Sequence, residues 1–144
     1  MLNKPLSELA PPDFATLVGL SESRYLDFKS APVGTSYEDR REFLADVSSF
    51  ANASGGDLVF GITEQDGAAS AAPGITVADA DKEKLRLGGL IRTGLEPRLT
   101  YFEIEWVQVN GNLGYLVVRV PRSWTAPHRV TLQGHDKLDR KSVV

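Results

Sequence analysis

The sequence predicts an α+β domain: a two-layer mixed sheet with helices on one face, in the order βαβαββ plus a C-terminal β segment. Three observations predict it. Two stretches, 37–53 and 79–93, carry apolar residues at helical spacing. Around them lie short runs whose apolar residues alternate or cluster as in strands. Gly- and Pro-rich punctuation separates the runs. One sheet with two helices on one face is the simplest way to bury these stripes.

Residues 1–20 read as a lead-in, with Pro11-Pro12 breaking regular structure and "DFATLVGL" as a short helix. Residues 24–29 form the first strand. Leu26 and Phe28 point to one face; Tyr25, Asp27 and Lys29 point to the other. "SAPVGTSY" is a loop. In the first long helix Phe43, Leu44, Val47, Phe50 and Ala51 form one stripe. Ser36 is its N-cap, and Glu38, Asp39 and Glu42 enrich its first turns. Gly55-Gly56 stop it. "DLVFGI" is apolar on both faces, as a central strand is. "TEQDGAASAAPG" reads as a turn and a mobile loop. The second helix carries Leu85, Leu87, Leu90 and Ile91 and stops between Gly94 and Pro97. In "TYFEIEWVQV" Phe102, Ile104 and Trp106 share one side. Glu103 and Glu105 share the other, with no evident cationic partner. "NGN" is a hairpin turn into "LGYLVVRVP". "HRVTLQ" supplies the last β segment.

A chain of 144 residues suggests one domain, and 42% hydrophobic residues suffice for its core. The expected division is a lead-in, 1–20, and a domain, 21–144, whose natural chain continues further. The absence of cysteine excludes disulfides and thiolate metal sites. No apolar run approaches the ~20 residues that span a bilayer, and the first ten residues hold no signal core. A cytoplasmic protein without membrane contact is expected. The net charge of −3 runs against a broad nucleic-acid surface, because neutralising phosphates supplies most of that affinity. A basic patch must be local, assembled by a homodimer, or outside this chain.

"ESRYLDFKSAP", then a helix, then "SSFANASGGDLVFGITEQDG" resembles the AlbA-type domain of the Schlafen family. The matching residues are Glu22, Asp27-Phe28-Lys29, Phe50 to Ala53, Gly55-Gly56, and Phe60-Gly61-Ile62 with Glu64. "VPRSWTAPHRV" and "LDRKS" extend the likeness over about residues 20–142. The resemblance implies two activities. In bacteria and archaea such domains open larger proteins described as DNA-binding regulators, some labelled ATP-binding. In animal Schlafens the domain is a metal-dependent endoribonuclease acting on tRNA and rRNA. Two acids five residues apart, and a third after the central strand, form its cluster. Carried over, these are Glu22, Asp27 and Glu64, with Asp66 next in line, holding Mg or Mn; Lys29 would meet the phosphate. Asp27 stands where the family more often has Glu, and Glu64 where it usually has Asp.

Read by themselves, the three acids offer the oxygen ligands that Mg²⁺ and Mn²⁺ take. Equally, they are surface acids with Lys29 neutralising Asp27. The Gly-Gly turn is a helix stop rather than a phosphate cradle, and no P-loop pattern is present, so ATP is set aside. The basic residues include Arg24, Lys29, Arg40, Arg41 and Arg119, and are densest over Arg122, Arg129, Lys137, Arg140 and Lys141. Arg24, Lys29, Arg122, Arg129 and Arg140 are candidate nucleic-acid contacts, with Trp124 to stack on a base. The alternative is a solvated tail that grips the domain through Trp124. His128 and His135 read as surface or structural. Three functions follow: a nucleic-acid-binding domain of a regulator or defence protein, acting on DNA or RNA; an Mg/Mn-dependent endoribonuclease; or a dimerisation module pairing through an edge strand.

Overall fold

A computed structural model describes residues 2–132. After a 3-10 turn at Leu6–Glu8, Pro11-Pro12 begin a helix instead of breaking one: α1 spans Pro11–Ala15. Proline suits a first helical turn, where its missing N–H has no partner to lose. Asp13 completes the start by accepting the Ala10 N–H at 2.9 Å.

β1 is Leu26–Lys29 and α2 is Tyr37–Asn52. Ser36 caps α2, its Oγ accepting the Asp39 N–H at 3.1 Å. Gly55 ends the helix at φ +80°, where a Cβ would press on the Val120 carbonyl and the Arg122 N–H. β2, Gly56–Phe60, follows and is buried along its whole length.

Residues 63–71 are not a mobile loop. β3 (Thr63–Gln65) and β4 (Ala68–Ala71) pair as an antiparallel hairpin. Asp66 and Gly67 both have positive φ, 55° and 80°, which a tight two-residue hairpin turn requires. The Asp-Gly signal was in the sequence; the small side chains around it hid the strands. β5 (Ile75–Thr76), α3 (Ala80–Gly94), β6 (Leu95–Glu96), β7 (Glu103–Asn110), β8 (Leu113–Val120) and β9 (Arg129–Val130) complete the order.

β1 runs parallel to β2, with Leu26 opposite Asp57. β2 runs antiparallel to β8, and β7 takes the other edge of β8. β5 pairs β8 at Leu113 and Gly114, just beyond the point where β2 leaves it. β2 and β5 therefore share one lane, and the β3–β4 hairpin is an excursion between them. β6 and β9 form a separate pair. The architecture is α+β with a mixed sheet, as expected.

Each face of the sheet has its own core. On one, α2 and α3 bring Phe43, Leu44, Val47, Leu87 and Ile91 onto Leu58, Phe60, Leu116 and Val118. On the other, Leu6, Phe14 and Leu17 from the N-terminal segment cover Phe28, Val59, Tyr115 and Val117. Phe14 stacks on Tyr115 with ring centres 4.1 Å apart. Each of these covering side chains stabilises the fold by about 2 kcal/mol, so the segment before Ser21 is a working cover.

Two expectations change at the sheet's edge. Leu85 is 72% exposed and leaves the α3 stripe to Leu87, Leu90 and Ile91. Glu105 and Glu103 do have cationic neighbours: Lys84 Nζ lies 3.7 Å from Glu105, and Arg119 sits opposite Glu103 across the sheet. Among the described residues no helix is long and apolar enough to cross a membrane.

Candidate functional site

The polar face of β1 lies beneath α2. Asp27 and Lys29 come from the strand. Glu42 and Asp46 come from the helix, one turn apart on the same side. Glu22 sits just upstream, its N–H donating to the Gly67 carbonyl in the hairpin turn at 2.7 Å. Lys29 Nζ is 3.0 Å from Asp46, 3.3 Å from Glu42 and 3.6 Å from Asp27. Glu22 accepts the Phe28 N–H at 2.9 Å, and its carboxyl also reaches that of Asp27.

One cation thus serves a group of four acids, and the charge states respond. Burial pushes the Asp27 carboxyl up to about 6; Glu22 adds to this and Lys29 only partly opposes it. Burial likewise raises Asp46, against the pull of Lys29. Burial works against the Lys29 charge, but Asp46, Asp27 and Glu42 outweigh it and raise the ammonium above its ordinary value. Asp46 Oδ2 is buried, and the Lys29 ammonium at 3.0 Å is its charged neighbour.

Two cavities flank the cluster. One, of about 200 Å³, is bordered by Lys29, Glu42, Asp46 and the loop 30–34. The other, of about 280 Å³, is bordered by Glu22, Arg24, Asp27 and Asp46. A carboxyl that titrates close to neutrality, beside a second carboxyl and a fixed cation, can take or give a proton.

Glu64 is exposed on β3, in the hairpin whose Gly67 carbonyl accepts the Glu22 N–H. Asp66 is exposed in the hairpin turn, with φ 55°. Carboxylates suit a hard divalent cation; among the described residues no group of three His, Asp or Glu side chains is already gathered as a metal site. Glu42 and Asp46 are what sequence reasoning missed. Their signal was a pair of acids four residues apart flanking the apolar stripe of α2.

The basic candidates fall elsewhere. Arg24 lies over the Tyr25 ring at 5.0 Å, beside the larger of these cavities. Arg119 is consumed by Asp57, in two bonds of 2.8 and 2.9 Å. Arg122 and Arg129 are exposed on the segment 121–130. Arg140, like His135, Lys137 and Lys141, lies outside the described residues.

Segment 121–130 is held through His128. This side chain is buried, with Nδ1 2.5 Å from the Pro97 carbonyl and Nε2 2.6 Å from Ser123 Oγ. Asn52, the last residue of α2, donates to the His128 carbonyl at 2.9 Å and accepts its N–H at 2.7 Å. Among the described residues His128 makes the grip that the sequence offers to Trp124 as one alternative, and Trp124 is 96% exposed. With Arg122 and Tyr101 it lines a cavity of about 270 Å³.

Nineteen solved chains match this one. The N-terminal domain of a RecG-related protein from Nitrosomonas europaea, determined in solution, superposes with a TM-score of 0.62 at 23% identity, covering 88% of this chain and 83% of that one. The DIP2311 protein from Corynebacterium diphtheriae gives 0.47 at 20% identity over 75% of this chain and 19% of its own. A comparison with curated proteins returned no match. The family model described as "Schlafen, AlbA_2" matches residues 22–142, from the acid before β1 through the segment that Asn52 secures, and the chain belongs to that family.

Proposed function

We propose that this domain binds nucleic acid through the surface where segments 97–101 and 121–130 meet, as part of a larger regulator or defence protein. The observation that carries this reading is the state of the arginines there. Arg98, Arg122 and Arg129 are exposed, and among the described residues none has a carboxylate within ion-pair distance. Glu96 is the register partner of Arg129 across the β6–β9 pair; on a chain of net charge −3 the exposed Arg98 and Arg122 still mark a local anion-binding surface. Lys29, by contrast, is surrounded by carboxylates, and a phosphate reaching it would compete with three of them. The test is binding of labelled duplex DNA, single-stranded DNA and tRNA across a salt series. Affinity should fall with salt, and Arg98→Ala and Arg122→Ala should each flatten the log–log slope by about 1. Salt-independent binding, or none, would sink the reading.

A second reading, RNA cleavage at the Glu22–Asp27 cluster, is favoured by one observation: Asp27 titrates near 6 beside Glu22 and Lys29. Glu22, Asp27 and Glu64 are the acids that would hold Mg or Mn, with Lys29 to meet the phosphate. Cleavage of tRNA with Mn²⁺ that disappears with EDTA and in Asp27→Asn supports it. Binding without cleavage leaves the binding domain alone.

A further inference from the structure

We propose that Tyr101 and Trp124 form a base-stacking site that makes the domain select single-stranded over duplex nucleic acid; this deepens the nucleic-acid reading and rests on it. Trp124 is 96% exposed and Tyr101 61%, and both line the same cavity with Arg122, Ser123 and Thr125. A tryptophan left in water forgoes the gain of burial, which a partner on this surface would recover.

The platform is held in place. Ser123 N–H donates to the Ala51 carbonyl at 2.9 Å, and Thr125 N–H to Ser123 Oγ at 3.2 Å. His128 and Asn52 fix the chain beyond. Trp124 therefore projects from a secured loop. Tyr101 is steadied by donating its O–H to Glu103 at 2.9 Å, which also occupies the neighbouring acid.

The size and charge of the site choose the occupant. At about 270 Å³ the cavity falls below the roughly 300–1,000 Å³ of sites that enclose a small molecule. It suits one planar base whose sugar and phosphate stay in solvent. The phosphates then lie beside Arg122, which lines the cavity, with the exposed Arg98 and Arg129 on the adjoining segments. Stacking on an aromatic needs a free base face, which a single strand offers and a duplex withholds.

Trp124 and Trp106 are the two tryptophans, and Trp106 packs against the core, so quenching by a bound base reports on Trp124. The probe is a single strand of about twelve nucleotides, compared with its annealed duplex. The wild-type domain should bind the single strand more tightly and lose tryptophan emission on binding. Trp124→Ala and Tyr101→Ala should each weaken single-strand binding about tenfold or more, with duplex binding unchanged. Both side chains are exposed, and the retained Trp106 emission checks the fold. Salt-dependent binding that neither variant weakens overturns the stacking site and leaves the nucleic-acid reading standing. No binding by the wild type overturns both. A dimer that dissociates in Trp124→Ala, with no effect on oligonucleotides, assigns the surface to a second copy and overturns the proposal.

Discussion

Asp57 and Asp27 stand on adjacent, paired strands and point to opposite faces of the sheet. Their fates differ. Asp57 is fully buried and matched: Arg119 meets both its oxygens, and the Leu2 N–H adds a bond of 2.6 Å. Arg119 goes on to hold the carbonyls of Leu2 and Lys4, tying the N-terminal cover to the sheet. Asp27 is half-buried and unmatched. It shares one lysine with Glu42 and Asp46 and has Glu22 at its side. A matched buried pair is a structural fastening. Surplus charge of one sign, kept out of full solvation, costs stability and shifts titration, and such groups concentrate where proteins act.

The largest expected effect tests the fastening. Asp57→Ala leaves Arg119 facing a buried gap and should cost about 3–5 kcal/mol, read as a lower urea midpoint. Residues 2–20 should become more susceptible to protease, because Arg119 no longer has a fixed position from which to hold Leu2 and Lys4. A cost below 1 kcal/mol would show that the apolar cover, not the ion pair, holds this face.

Removing the cation from the unmatched cluster should do less, and in a pH-dependent way. Lys29→Met leaves Asp27, Asp46 and Glu42 facing one another. At neutral pH this should cost about 2 kcal/mol, below the fully buried case because solvent reaches the group. Without the lysine the folded-state pKa values of Asp27 and Asp46 rise further, so the folded chain takes up protons before the unfolded chain does. The deficit should shrink as pH falls through about 6 toward 4. Urea midpoints at several pH values check this; a deficit constant with pH would contradict the repulsion.

Much of the matched structure was legible in the sequence. Ser36, Gly55 and the stripe of Phe43, Leu44, Val47 and Phe50 each obey a local rule, and the structure places them accordingly. The acid-aromatic-lysine strand and the five-residue spacing of Glu22 and Asp27 marked where polar groups gather. What escaped depends on distant partners. Nothing near Asp57 announces Arg119, which is 62 residues away. Asp46 and Glu42 read as solvated helix acids until the parallel pairing of β1 and β2 sets Lys29 under them. The Asn52–His128 contact spans 76 residues, so Trp124, the more conspicuous side chain, drew the anchoring role that His128 performs.

The smallest effect is the sharpest discriminator, because its sign reverses the usual expectation for a lost ion pair. Asp27 has a folded-state pKa of about 6 against an ordinary 3.8. Below 3.8 the folded and unfolded chains both carry the proton. Between 3.8 and 6 only the folded chain keeps it, so stability falls as pH rises through that window and stays lower above it. Asp27→Asn removes the titration. Lys29 keeps Asp46 and Glu42, and Glu22 loses a like-charged neighbour. The variant should be more stable than the wild type at pH 7 by about 1 kcal/mol, allowing for solvent screening of this partly exposed group. The two should converge near pH 4. Thermal melts at both values decide it. A destabilised variant at pH 7 would mean that Asp27 is a matched partner of Lys29, as Asp57 is of Arg119, and that the contrast between the two clusters lies only in their depth.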